Sequence, residues 1–508
     1  MYGRLTHAAV IMAVGIALLA GSASAHGGGA SPTTSPAAAR FGVQKGCKTP
    51  LGVKACWVAG VYNRDYTGMD DHSYKGPPAQ AAGGHPFVGV TDFIVANKGG
   101  KPSGTVKSIR VDLPPGLVSN PQATPKCTKS KLAAGKCPKN TQVGIVKLEV
   151  FSPLLGADAY VGESVYNLAP GKSYCAGYAS DYAFYVSLMK QQINVCGTVH
   201  KDSPYDLYFT IKVPSGSPLI RSTLIFWGVP GDSGHNSQRG WSCFGASPCS
   251  PPASGPSKPK GTAFLTNPTG CLPAGQISRL TLKSTAGQMA KAKSKTPVPA
   301  INCAKLPFAP KIKMALSGHN QTRAGKHPTL TTAVTQGTGQ ANIKFSKVTL
   351  PLSLALDPTN SQHVCAVKDA RADKCPASTI VGSVRVMTPL LSSPLAGKVY
   401  LVQGYRLVHR HRIRSFPAML LALRGKAAVD LHAQTSVDKR SQLVTKFLSL
   451  PDLPMNSFTL TITGGKRGIL VANNNLCRRA QKAKAQFTGH NGATKKTTVA
   501  MGTPCTSS

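Results

Sequence analysis

A cysteine-bearing block that occurs twice constrains the fold of this 508-residue chain more than any other feature of its sequence. The first copy runs Leu113-Pro114, Cys127, nine residues, Cys137-Pro138, four residues, Val143-Gly144, then Pro153-Leu154-Leu155 and Val165-Tyr166. The second runs Leu350-Pro351, Cys365, nine residues, Cys375-Pro376, four residues, Val381-Gly382, then Pro389-Leu390-Leu391 and Val399-Tyr400. Order conserved over so long a stretch within one chain means a single structural unit of roughly 200 residues used twice. The match continues from Phe226-Trp227-Gly228-Val229-Pro230 to Phe447-Leu448-Ser449-Leu450-Pro451. It then runs from Phe264-Leu265-Thr266-Asn267 before Cys271 to Leu470-Val471-Ala472-Asn473 before Cys477, and each unit closes on a last cysteine, Cys303 or Cys505.

The duplication pairs Cys127 with Cys137 as Cys365 with Cys375, and Cys271 with Cys303 as Cys477 with Cys505. Proximity adds Cys47 with Cys56, Cys175 with Cys196 and Cys243 with Cys249, although six cysteines taken alone allow 15 connectivities. All 14 cysteines lie beyond residue 25, an even number that fits disulfides in an oxidising compartment. No CxxC or His-Cys grouping is present, so no metal site and no cofactor is expected.

The N-terminus explains that compartment. Arg4 precedes an apolar run from Ala8 to Ala20 that ends in Ala23-Ser24-Ala25, the pattern of a secretory signal peptide cleaved after Ala25. No later run reaches the length of a membrane helix, so no transmembrane segment is expected after cleavage. Residues 26–40 read as a flexible leader, 41–86 as an N-terminal segment bearing Cys47 and Cys56, 87–303 as the first unit, 304–326 as a linker and 327–505 as the second unit.

Within the units, Gly and Pro punctuate short runs of alternating apolar and polar residues. Thr105 to Leu113, Asp206 to Val213, Ala341 to Leu350 and Ser457 to Thr463 read as strands with one buried and one wet face. Helical signals are confined to Thr128 to Ala134 and Ala366 to Ala372. The expected fold class is all-β: two related β-sandwich-like domains with few short helices. The first unit carries apparent insertions at Tyr174 to Asn194 and Ser247 to Gly261.

The Leu-Pro, Cys-x9-Cys-Pro-x4-Val-Gly and Pro-Leu-Leu elements, with Asn302-Cys303-Ala304-Lys305-Leu306-Pro307-Phe308 and the Asn-rich approach to Cys477, resemble an uncharacterised family of exported, repeat-containing actinobacterial proteins over residues 87–505. The resemblance implies export and repetition and carries over no activity or catalytic residue.

Lys and Arg number 59 against 18 Asp and Glu, a net charge of +41. Such a surface attracts polyanions, and outside the cell these are anionic envelope or matrix polymers. Aromatics make up 6% of the chain, and no helix-turn-helix or zinc finger is visible, so no specific nucleic-acid recognition is expected. Arg410, Arg412 and Arg414, interleaved with His409 and His411, form the best anion-binding candidate, since guanidinium groups suit phosphate, sulfate or carboxylate.

Gly231-Asp232-Ser233-Gly234-His235 resembles the nucleophile loop of trypsin-like proteases, but no histidine-bearing segment upstream supplies a base, and these residues are common turn formers. Ser233 is thus a weak catalytic candidate. Asp70, Asp71 and His72, in the aromatic-bearing stretch Tyr62 to Tyr74, form a second candidate loop site. Glu149 and Glu163 are the only glutamates, which leaves little for paired-carboxylate hydrolysis. The sequence therefore reads as a secreted, cell-surface or extracellular non-catalytic structural or interaction protein that contacts polyanions. The alternatives are an extracellular hydrolase with its site in the first-unit insertions and a ligand-binding module using the Tyr62–Tyr74 loop. The sequence fixes no oligomeric state.

Overall fold

The computed structural model describes residues 40–47, 56–68, 80–152, 156–169, 174–215, 218–271, 276–296, 300–409 and 411–505. The signal peptide 1–25, all of the leader except Arg40, Asp70, Asp71, His72 and Arg410 lie outside the described residues.

Eleven strands form the main path of the first sheet: β1 Trp57–Tyr62, β2 Val88–Ile94, β3 Val106–Asp112, β4 Gln142–Ser152, β5 Ala157–Asn167, β6 Ser180–Val186, β7 Gln191–Val199, β8 Leu207–Lys212, β9 Leu219–Trp227, β10 Gln276–Ser284 and β11 Met289–Thr296. Their lateral order is β1-β2-β9-β4-β5-β6-β7-β8-β3-β10-β11. The second sheet uses β12 Lys311–Ser317, β13 Thr329–Thr335, β14 Ile343–Thr349, β15 Ile380–Met387, β16 Leu395–Val402, β17 Ala418–Arg424, β18 Val429–Val437, β19 Leu443–Phe447, β20 Ser457–Ile462, β21 Lys482–Gly489 and β22 Thr494–Gly502. Its order, β12-β13-β20-β15-β16-β17-β18-β19-β14-β21-β22, is that of the first sheet strand for strand.

The all-β expectation of two related units holds, and the second unit is a closed barrel. Its ring is sealed by β12 and β22 running parallel, Met314 opposite Met501 and Ala315 opposite Gly502. The first sheet brings the equivalent edges β1 and β11 together through the Ala59 amide, which donates to the buried Ser294 Oγ at 3.2 Å.

This geometry corrects the sequence reading in four places. The linker 304–326 contains β12, because KIKMALS alternates and buries Met314 and Leu316. The N-terminal segment 41–86 contributes β1 to the first sheet, with Trp57 fully buried. The match of Phe226–Pro230 to Phe447–Pro451 is displaced: Phe226 lies in β9, whose counterpart is β20, whereas Phe447 ends β19. Short apolar strings ending in proline close both kinds of strand, so they align by composition and not by place. Much of Tyr174–Asn194, read as an insertion, is β6 and β7, which have counterparts in the second barrel.

The strands expected from alternation appear as β3, β8, β14 and β20, and the two helical signals as α1 Lys129–Ala133 and α2 Val367–Arg371. All seven bridges form as paired from the sequence: 47–56, 127–137, 175–196, 243–249, 271–303, 365–375 and 477–505. Each ten-residue loop clips a helix to its sheet, where Leu132 packs with Cys127 and Leu168, and Ala370 with Val402 and Leu420.

The repeated Val-Gly has a steric cause. Gly144 and Gly382 sit at equivalent irregularities where β4 and β15 shift register. A Cβ on Gly144 would stand 2.0 Å from the Ile225 carbonyl oxygen, and one on Gly382 2.0 Å from that of Thr461.

The units meet along a polar seam. Asp452 accepts from the Thr269 and Gly270 amides at 2.9 and 3.2 Å, from Asn342 Nδ2 at 2.9 Å and from Thr269 Oγ1. Tyr205 of the first unit enters the core of the second barrel and donates to the Asp430 carbonyl at 2.9 Å. Arg371 pairs with Asp202 at 2.9 Å.

Gly382→Ala is expected to lower the free energy of unfolding by about 3 kcal/mol or more, because backbone cannot yield to the added methyl as a side chain can. Gly255→Ala, where a Cβ meets nothing within 4 Å, should change it by less than about 0.5 kcal/mol. Urea titration of both variants measures the difference.

Candidate functional site

The serine loop proves to be a structural turn. Asp232 is the N-cap of a short 3-10 segment, Ser233–Gln238, and accepts from the Gly234 amide at 2.9 Å, the Lys258 amide at 2.7 Å and Ser257 Oγ at 2.5 Å. Burial opposes its charge, but these three hydrogen bonds outweigh that cost and hold the carboxyl below its ordinary range. Ser233 Oγ donates to the Pro256 carbonyl at 3.0 Å, away from any imidazole. His235 is fully buried between Phe87 and Trp227, with ring centroids at 4.2 and 4.6 Å, and neither ring nitrogen has a hydrogen-bond partner among the described residues. A general base must hydrogen-bond its nucleophile, so Asp232, Ser233 and His235 do not form a catalytic triad.

The arginine candidates lie on a two-stranded hairpin, Tyr405–Val408 and His411–Arg414. Arg412 and Arg414 occupy alternate positions of its second strand, opposite Leu407 and Tyr405, and Arg414 is exposed. His409 sits at the turn with φ of 48°, outside the strand that begins at His411.

Two polar constellations escaped the sequence reading. In the first, His200 Nε2 lies 2.7 Å from Asp112 Oδ1 and 2.8 Å from Arg110 Nη2, while the Arg110 guanidinium stacks over Tyr208 at 3.8 Å. With Asp206 these groups have the spacing of a cation site. Arg110 already supplies the positive charge, donating to Asp112 at 2.7 Å, so an added cation would meet repulsion.

The second is an open cleft of about 600 Å³ lined by Lys147, Glu149, Tyr160, Arg221, Thr67 and Ser250, among others. Below it the fully buried Asp92 is satisfied by Arg221 at 2.7 Å, Tyr66 at 2.9 Å and Thr223 at 2.9 Å. Burial raises the Glu149 carboxyl, as does neighbouring Asp158, and burial lowers the Lys147 ammonium. The Tyr62–Tyr74 stretch reaches this rim at Thr67 and Gly68. Alternation in β4 was the available signal, since Lys147 and Glu149 stand two apart in QVGIVKLEVFS.

The charge excess has a definite place on the fold. On β10 and β11, Arg279 lies opposite Lys293, and exposed Lys291 and Lys295 continue the row. On β14, β19, β21 and β22 of the second barrel, Lys347 lies opposite Lys446, and Gln486 between Lys347 and Lys496, with Lys482 and Lys484 exposed beside them. Of these, β21 and β22 are the equivalents of β10 and β11. Like charges face each other across neighbouring strands, and among the described residues none of these lysines lies within ion-pair distance of a carboxylate.

No family model matches the chain, and no curated protein matches it. Solved structures that align include the B domain of a biofilm associated protein, at 8% identity over 88% of this chain and 84% of that one, with a TM-score of 0.16. The C-terminal domain of the Streptococcus agalactiae AgI/II polypeptide BspA aligns at 8% identity over 88% and 99%, with a TM-score of 0.17. The C-terminal domain of the Streptococcus pyogenes antigen I/II-family protein AspA aligns at 8% identity over 87% and 98%, again with 0.17. Likeness at this level carries no structural or functional inference.

The buried imidazole makes the chain acid-sensitive. Burial, with the nearby Arg239 charge, lowers the pKa of His235 to about 3 although Asp232 opposes the shift. Between pH 6.5 and 3 the unfolded chain therefore binds a proton that the folded chain does not, and stability falls as pH falls, by up to about 1.4 kcal/mol per pH unit from this group. His235→Phe, which keeps the stack, should flatten the dependence of unfolding free energy on pH across that window. Urea melts at pH 6.5, 5 and 4 test it.

Proposed function

We propose that this chain is an exported, non-catalytic interaction protein of the family it resembles, and that it holds anionic envelope or matrix polymers on two basic sheet faces. The observation that carries the reading is the repeated placement of basic residues, none within ion-pair distance of a carboxylate among the described residues, on the last two strands of each unit. A polymer with regularly spaced anions can meet both faces at once, and two weak contacts on a common scaffold reinforce each other through effective concentration. The hairpin bearing Arg410, Arg412 and Arg414 adds a third cationic contact in this reading. Disulfides and ring closure keep the faces in fixed shape, so little ordering accompanies binding.

Retention of the oxidised mature protein on isolated cell envelope, eluted with a salt gradient, is the test. Lys291/Lys293/Lys295→Gln and Lys347/Lys484/Lys496→Gln are each expected to elute at lower salt than the parent, and the combined variant near the start of the gradient, because exposed charges act within a screening length of about 10 Å at 0.1 M salt. Arg412/Arg414→Ala should give a smaller shift, and Ser233→Ala none. Absence of retention at low salt, or retention unchanged in the combined variant, overturns the proposal.

A further inference from the structure

An eight-stranded ring encloses about the volume that side chains fill, and an eleven-stranded ring encloses more. The two units meet that surplus differently. The first packs Trp57, Phe93, Tyr182, Phe184, Phe226 and Phe264 into its core, and a cavity of about 40 Å³ remains. In the second, β17 turns Met419, Leu421 and Leu423 inward where β6 turns Tyr182, Phe184 and Val186. Two apolar cavities remain there, of about 170 and 90 Å³.

Both cavities touch Val334, Ser346, Phe447, Phe458 and Phe487. Along single strands the lining passes from the smaller to the larger: from Leu330 through Val334 to Gln336 at the end of β13, and from Met419 to Leu423 on β17. The cavities are therefore stacked along the barrel and outline a narrow space. An apolar cavity of about 150 Å³ stays dry and takes up apolar guests, and the stack suits an unbranched hydrocarbon chain better than a compact one.

The larger cavity reaches the seam, where Pro121, Ser180 and Thr198 of the first unit line it together with Ala427 of the second. Lys426 adjoins Ala427 in sequence, and Lys126 of the first unit comes close enough for the Lys426 charge to add to burial in lowering its pKa. Neither lysine forms an ion pair among the described residues. Two cations from different units thus lie near each other, and one of them adjoins Ala427, which lines the larger cavity.

We propose that the second barrel binds a single-chain amphiphile with an anionic head group, its hydrocarbon tail in the stacked cavities and its head between Lys126 and Lys426. This site is separate from the lysine faces and stands or falls independently of polymer binding.

Calorimetric titration of the full mature protein with laurate and with dodecanol, both below their aggregation concentrations, tests it. The parent is expected to bind both. Val334→Trp, which fills the junction of the cavities, should weaken both at least tenfold with an unchanged circular dichroism spectrum, and Ser346→Phe does the same from another strand should the first variant fold poorly. Lys126→Ala/Lys426→Ala should weaken laurate at least fivefold and leave dodecanol unaffected, and Lys291/Lys293/Lys295→Gln should alter neither. Failure of the parent to bind laurate, or binding insensitive to both filling variants, overturns the tail site, and equal laurate affinity in the double lysine variant overturns the head-group assignment.

Discussion

Ring closure is the constraint on which the second unit depends. A free sheet edge presents unpaired amides and carbonyls, and the parallel contact of β12 with β22 removes both edges at once. Closure fixes the circumference and with it the interior volume, which no local sequence choice can then change. The first unit reaches almost the same arrangement, with the Ala59 backbone amide donating to the Ser294 hydroxyl where the second has backbone pairing.

From one strand order used twice, the chain obtains two different interiors and two similar exteriors. Rings such as Tyr182, Phe226 and Phe264, with centroids 5.3 to 5.4 Å apart, pack edge to face or tilted and fill the first unit. Aliphatic residues fill the second incompletely. Outside, the last two strands carry basic residues in both copies. The units are joined where Asp452 gathers four donors at the seam, so its burial is fully compensated by hydrogen bonds from both sides.

Much of this was legible in the sequence. Alternation located β3, β8, β14 and β20, and cysteine spacing located every bridge. The outermost strands were not legible as barrel members, because what makes Trp57–Tyr62 and Lys311–Ser317 parts of a ring is contact with β11 and β22, more than 180 residues away in each case. Asp232 and Ser233 illustrate the opposite difficulty: a four-residue match to a catalytic loop is also a well-capped turn, and only the partners of Asp232 and the isolation of His235 distinguish the two. Net charge announced a cationic surface without saying that Lys347 and Lys446 would lie side by side. The apolar cavities were hidden altogether, since volume left over inside a barrel depends on which of two alternating sets of residues faces inward.

The disulfides lie wholly within one unit or the other, and the loops they close span 6 to 32 residues. None crosses the seam. A tensile load applied at the two ends of the chain would therefore meet only non-covalent resistance between the units, and the crosslinks would shorten the fully drawn-out chain by little more than the short loops they enclose. Mechanically the protein is two toughened beads held together by a non-covalent seam that includes the Asp452 clasp.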